Sequence, residues 1–287
     1  MKKVTIQGIE GCFHEAAARE FFSGEEIEVL PCATFSSMFE KLKGDESLLG
    51  IAAIENTIAG SLLQNHELLR SSNMRVIGEQ RMRISHVVAV LPGQTIDQIR
   101  EVHSHPIALM QCERWLSSHP TIKAVESDDT AESAKVIAQQ GLTGHAAICG
   151  EWAAKLYGLE ILETHIETNP HNFTRFLILA NERVASDYIH ADKVSKSSIM
   201  FSLPHSKGSL SKVLTILSFY DINLTKIQSL PIIGCEWEYL FYVDVTFDDY
   251  TRYLQSLEAV KPLLADFKVL GDYHEAPVHQ NNNLGEF

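Results

Sequence analysis

The chain has 287 residues, 45% hydrophobic and 21% charged, a composition of ordinary globular protein that excludes fibrous and disordered classes. Its 24 Lys and Arg against 37 Asp and Glu leave a net charge of -13, which argues against nucleic-acid and anionic-membrane partners and requires any anionic ligand to be held by local donors. Five scattered cysteines (12, 32, 112, 149 and 235) without a CxxC pair, and no apolar run long enough for a signal peptide or membrane span, predict reduced thiols in the cytoplasm.

In chain order, KKVTIQG reads as a strand, GIEGC as a glycine-bounded turn, and FHEAAAREFF as a helix ending near Ser23 and Gly24. The unit recurs as SLLGIAAIE, loop NTIAG and a helix from about Ser61. It recurs again as REVHSHP before IALMQCERWLSS, where Ser104 is placed to cap the helix and Pro106 to start it. KAVESDD leads into TAESAKVIAQQ with Gly141 as a stop, and HAAIC into GEWAAKLYG. Alternating strands and helices predict an α/β fold with sites where strands hand over to helix N-termini. The run FLILA is a buried strand fed by the loop from Asn169 to Thr174, and the polar stretch after it reads as a linker. SSIMFSLP, SLSKVLTILSFYDI, LTKIQSLPI, YLFYVDVTF, YTRYLQSLEAVKPLLA and FKVLGDY then give the order βαββαβ, with IGCEWE joining the middle strands. HEAPVHQNNNLGEF has too little apolar content to pack and is expected to be disordered.

IENTIAGSL, HSHPIALMQC, DDTAESA, HAAICG and NFTRF, in this order ahead of a βαββαβ module, resemble prephenate dehydratase. The resemblance implies a dehydratase domain over 1–181, made of two α/β lobes around a periplasmic-binding-protein-like cleft. A linker over 182–196, a ferredoxin-like regulatory ACT domain over 197–273 and a tail over 274–287 follow. It implies a cofactor-free enzyme that converts prephenate to phenylpyruvate, is inhibited by L-phenylalanine and assembles as a homodimer or homotetramer. The chain opens on the first dehydratase strand, so no fused chorismate mutase is expected. Arogenate dehydratase and a non-catalytic amino-acid sensor are the alternative readings.

Loss of a ring hydroxyl and a ring carboxylate together yields a benzene ring, so the reaction needs orientation and help for the departing hydroxyl more than a metal or cofactor. The Thr174 hydroxyl suits that donor role, with Arg175 beside it to hold a carboxylate or orient a neighbour and Phe176 next in line as a further substrate-binding candidate. The resemblance places Glu55 and Asn56 in the cleft, with Thr57 where relatives commonly carry Ser. Ser104 and Gln111, seven apart, share a helix face if Ser104 starts that helix. Cys12 and His14 stand where relatives usually show hydroxyl residues, so backbone N–H groups become candidate donors there. A thiol nucleophile with its base is the runner-up reading of this pair, which lacks a visible third residue to orient the His. His103 and His105 alternate as strand neighbours but lack a third ligand, and no metal site is expected. In the C-terminal module Gly208, Ser209 and Leu210 resemble the family's Gly-Ala-Leu effector loop. Gln228, Ser229, Leu230 and Pro231 stand at its Glu-Ser-Arg-Pro motif, without either charge.

Overall fold

A computed structural model describes residues 1–232 and 239–277, so the IGCEWE turn, Cys235 and the tail from 278 onward lie outside the described residues. The chain runs β1 (Lys2–Gln7), α1 (Phe13–Phe21), β2 (Ile27–Cys32), α2 (Phe35–Gly44), β3 (Leu49–Asn56), β4 (Gly60–Ser61), α3 (Leu63–Arg70) and β5 (Met74–Arg83). There follow β6 (Val87–Val90), β7 (Glu101–Ser104), α4 (Pro106–Gln111), α5 (Glu113–Ser118), β8 (Lys123–Glu126), α6 (Thr130–Gln140), β9 (His145–Cys149), α7 (Glu151–Leu156), β10 (Glu160–Thr164) and β11 (Phe173–Asn181). The last third is β12 (Lys196–Ser202), α8 (Ser209–Phe219), β13 (Asn223–Pro231), β14 (Tyr239–Thr246), α9 (Tyr250–Val260) and β15 (Asp266–Tyr273).

These elements pack as two compact units, one of residues 1–38, 51–60 and 82–176 and the other of 39–50, 61–81 and 177–287. In the first unit β2, β1, β3 and the leading part of β11 lie side by side in that order. A second sheet in the same unit has the order β10-β6-β9-β7-β8, with β7 parallel to β8 and β9, and β6 antiparallel to β9 and β10. β6 reads VVAV and is buried throughout, as a central strand covered on both faces must be. Its core joins Val88, Val102, Ala146 and Ile148 to Leu109 of α4, Trp115 of α5 and Cys112 between them. α6 ends as predicted, with Gly141 closing the helix at φ 64, and at its start Asp129 accepts from the backbone N–H groups of Ala131 and Glu132.

Three local expectations are corrected. Ser104 is not the cap of the following helix. Pro106 forces the residue before it into extended backbone, so His105 (φ -61, ψ 141) is the N-cap and its ring accepts from Ile107 N–H. IALMQCERWLSS divides at Cys112 into α4 and α5. β11 starts at Phe173, so Thr174 stands inside the strand and not in the loop before it.

In the second unit the βαββαβ module forms a sheet of order β13-β14-β12-β15, with α8 and α9 supplying Val213, Leu217, Tyr253 and Leu257 to its core. The same unit holds α3 and most of β5. Tyr242 Oη donates to His66 O, and Lys268 Nζ donates to the carbonyls of Arg70 and Ser72. The expected linker 182–196 contains two short 3-10 turns, Ala185–Tyr188 and Ala191–Lys193, and Lys196 at its end is fully buried in β12. The start of the expected disordered tail is also packed: Ala276 is buried, its N–H donates to Glu79, and Glu275 pairs with Arg81. A carboxylate and a backbone donor anchor this segment where apolar content alone predicted none.

Candidate active site

The C-terminal end of β3 and the start of β11 bring the predicted polar residues together. Asn56 is held in one orientation, because its Oδ1 accepts from Ile58 N–H at 2.9 Å and Ala59 N–H at 2.8 Å. Its Nδ2 therefore points the other way, donating to Asn172 Oδ1 at 2.8 Å and to Thr174 Oγ1 at 2.9 Å. Thr174 Oγ1 thus accepts from Asn56, which directs its own proton elsewhere, and no described residue takes that proton. Asn172, fully buried, keeps an Nδ2 without a partner among the described residues. A hydroxyl and an amide, both tied to the Asn56 side chain and each with a proton to give, suit an oxygen-bearing ligand.

Glu55 and Arg175 form an ion pair, Nε to Oε1 at 3.0 Å, with the guanidinium buried and the carboxylate half-buried. Thr57 acts as a clip. Its N–H donates to Phe173 O, its hydroxyl donates to His171 O, and Phe173 N–H donates back to that hydroxyl. With both roles of the hydroxyl taken by backbone, Thr57 positions the two loops instead of offering a free donor to substrate. Phe176 departs from its predicted place against substrate: it is 1% exposed, and its ring meets His14 edge-on at 5.1 Å.

At the first junction the buried Glu15 carboxylate accepts from Gly11 N–H at 2.6 Å. Cys12 is buried, its thiol donates to Gln7 O, and burial pushes its pKa up to about 12. His14 accepts from Ala53 N–H at 3.3 Å, and burial brings its pKa down to about 4, so the ring is neutral. Both side chains are thus engaged with backbone groups of the protein itself. Gln111 lies at the end of α4, where its Oε1 meets His86 Nε2 at 3.0 Å, while Ser104 Oγ donates to Ile148 O at 2.6 Å. The two therefore do not form one surface. Ser104 ties β7 to β9, and Gln111 belongs with His86, a residue the sequence did not single out. Burial lowers the pKa of His86 against the bond to Gln111, its backbone N–H donates to Glu167, and its Nδ1 is buried with no partner among the described residues. Phe13 stands edge-on to the same ring at 5.6 Å. Asn172, inside the quoted NFTRF string, could have been found from its place two residues before Thr174. His86 carries no comparable local signal.

In the C-terminal module Gly208 takes φ 77 at the start of α8, a backbone that L side chains rarely adopt, and Ser209 Oγ donates to Pro204 O and Ser206 O. Leu210 packs at the edge of the module core. Gln228 and Ser229 lie on β13, a strand at the sheet edge, opposite Tyr242 and Phe241, and the Gln228 amide donates to Ser229 O.

A family model described as prephenate dehydratase matches residues 4–184. The chain belongs to the prephenate dehydratase family. It is 34% identical to arogenate dehydratase/prephenate dehydratase 2, chloroplastic, of Arabidopsis thaliana over 281 residues, covering 94% of this chain and 72% of that one. Among solved structures it is similar to the prephenate dehydratase of Arthrobacter aurescens in complex with L-Phe, with 25% identity, a TM-score of 0.83 and coverage of 95% and 89%. It is also similar to GqqA, described as a novel type of quorum quenching acylases, with 26% identity, a TM-score of 0.86 and coverage of 96% and 99%. Family membership gives the cluster at Asn56, Asn172 and Thr174 a chemical context.

Proposed function

We propose that this protein is a prephenate dehydratase, which expels the ring carboxylate of prephenate as carbon dioxide and its ring hydroxyl as water to leave phenylpyruvate. Breaking the carbon–carboxylate bond supplies the electron pair that aromatises the ring and drives out the hydroxyl, and one proton, ultimately from solvent, completes the water. The observation that carries this reading is the Asn56 amide donating to Thr174 Oγ1, which leaves the threonine proton for the departing oxygen. An aliphatic alcohol is too weak an acid to be left as alkoxide, so Thr174 acts as a hydrogen-bond donor and relay. The Glu55–Arg175 pair supports it by fixing the adjoining strand end. Incubation of the purified chain with prephenate and, separately, with arogenate tests the reading. Faster appearance of phenylpyruvate from prephenate is expected. Turnover of arogenate alone would favour the dehydratase that accepts an amino group, and turnover of neither would leave a sensor.

Deacylation, suggested by the neighbour described as an acylase, needs an activated nucleophile. The Cys12 and His14 pair does not provide one, because burial raises the thiol to about 12 and lowers the imidazole to about 4, the reverse of a thiolate–imidazolium pair.

We further propose that the βαββαβ module is an ACT domain that binds L-phenylalanine through Gly208, Ser209, Leu210, Gln228 and Ser229 and joins copies of the chain as a homodimer or homotetramer. The left-handed backbone at Gly208 supports an approach of main-chain donors to an amino acid. Calorimetry with phenylalanine and light scattering test these two points; absence of binding heat, or a monomer at micromolar concentration, overturns the corresponding one. Among the described residues no helix is long and apolar enough to cross a membrane, and the free cysteines Cys12, Cys32, Cys112 and Cys149 support a reducing compartment such as the cytoplasm.

A further inference from the structure

On the five-stranded sheet of the first unit, the register of two parallel strands gathers a carboxylate and two imidazoles that the dehydratase reading does not use. Glu101 of β7 is paired with His145 of β9, and strand alternation puts His103 on the same face as Glu101. Val102, Ala146 and Ile148 point to the opposite face, into the core made with α4 and α5. His103 Nε2 lies 2.9 Å from His145 Nδ1, and Glu101 Oε2 lies 3.6 Å from the first nitrogen and 3.7 Å from the second. All three side chains are half-buried, reachable from solvent yet supported by the sheet.

We propose that Glu101, His103 and His145 form a binding site for one divalent transition-metal ion of the zinc class, a two-histidine, one-carboxylate set with its remaining positions open to water. Metal–ligand bonds of about 2.0–2.2 Å at tetrahedral or octahedral angles separate neighbouring ligand atoms by roughly 3.0–3.5 Å. The observed spacings come within a few tenths of an ångström of that range, and rotation of the Glu101 side chain closes the rest. A hydrogen bond between the imidazoles explains one spacing of the three, but not why a carboxylate oxygen faces both nitrogens at nearly equal distance. Lys123 holds the other oxygen, Oε1, at 3.2 Å, which turns Oε2 toward the rings in the manner of an outer ligand-orienting contact.

Glu101 and His145 open their strands, whereas Ser104 and Cys149 end them ahead of α4 and α7, so the ion would bridge β7 and β9 at the end away from those helix starts. His105, the other histidine singled out in the sequence, is occupied as the α4 cap and takes no part.

The test is titration of the chelator-stripped full chain with zinc chloride in a calorimeter, alongside Glu101→Gln and His145→Asn. One equivalent binding at micromolar or lower Kd is expected, at least tenfold weaker in each variant, together with a thermal midpoint raised by zinc only in the unmodified chain. Cobalt(II) should give a visible ligand-field absorption that His103→Asn abolishes. Thermal transitions in excess chelator establish that the variants are folded, and the near-isosteric Glu101→Gln keeps the test decisive if a histidine variant is not. Absence of binding by the unmodified chain, or equal binding by it and a folded variant, which would locate the ion at other histidines, overturns the proposal.

Discussion

At Thr174 shape and chemistry are separable. Valine keeps the branched volume and the strand preference, while serine keeps the hydroxyl and loses a methyl. Since Asn56 donates to Thr174 Oγ1, a valine there also leaves that amide without one acceptor. Thr174→Val is expected to lower kcat by about two to four orders of magnitude with little change in KM, and Thr174→Ser to keep most activity. Steady-state constants for prephenate, on protein shown to be folded, decide this, and a valine enzyme near full speed would remove the hydroxyl from the mechanism. A second residue-scale prediction concerns His14, whose pKa falls from 6.5 to about 4 through burial. Between these values the unfolded chain binds a proton that the native chain does not, so stability is full above about pH 6.5 and is lost as pH falls toward 4. Up to about 3 kcal/mol of acid sensitivity follows from this one ring. Urea midpoints from pH 7 to 4 should show a shallower decline for His14→Gln, whose amide oxygen can take over the bond from Ala53 N–H; an unchanged slope would assign the acid sensitivity to other groups.

At the scale of elements, β15 passes β5 so closely that glycine is required. A Cβ built at Gly271 would stand 2.0 Å from Val76 O, a contact with backbone that no rotamer relieves. The strand pairing also shifts register there, between Ser198 and Ile199 of β12. Gly271→Ala is expected to cost about 3 kcal/mol or more, because two strands of one unit must separate. Gly44, at the end of α2, has open space around it and no positive φ, so Gly44→Ala should change stability by roughly 0.5 kcal/mol or less. Thermal or urea unfolding of the two variants side by side tests the contrast, and equal effects would refute the close approach of β15 to β5.

Over the whole molecule, the C-terminal module is joined to β5 by charge as well as by packing. Lys196 Nζ lies 3.0 Å from Glu79 Oε1 with both side chains fully buried, and Arg81 and Glu275 complete the network at its edge. Desolvation makes such a pair a weak source of net stability but an expensive one to break, since the survivor is a buried charge. Lys196→Met should therefore destabilise the chain by about 3–5 kcal/mol, and Lys196→Met combined with Glu79→Leu by less than the single change. Urea titrations of the single and double variants measure this, and a double variant worse than the sum would contradict the pairing.

Sequence alone determined the kind and order of most elements, because helix and strand periods and a glycine stop at Gly141 are local properties of the chain. The Asn56 and Thr174 cluster was legible too, since both lie in the strings on which the resemblance to the family rests. Pairing between distant strands decided the rest. The polar composition of the stretch after β11 assigned Lys196 to a linker, and Glu79, 117 positions earlier, with Glu275 beside it, makes its burial tolerable. His86 reaches Gln111 across 25 residues and His103 reaches His145 across 42, neither marked by local sequence. Local patterns set what each segment can become, but strand register sets which side chains meet, and register is fixed by burial across the whole fold.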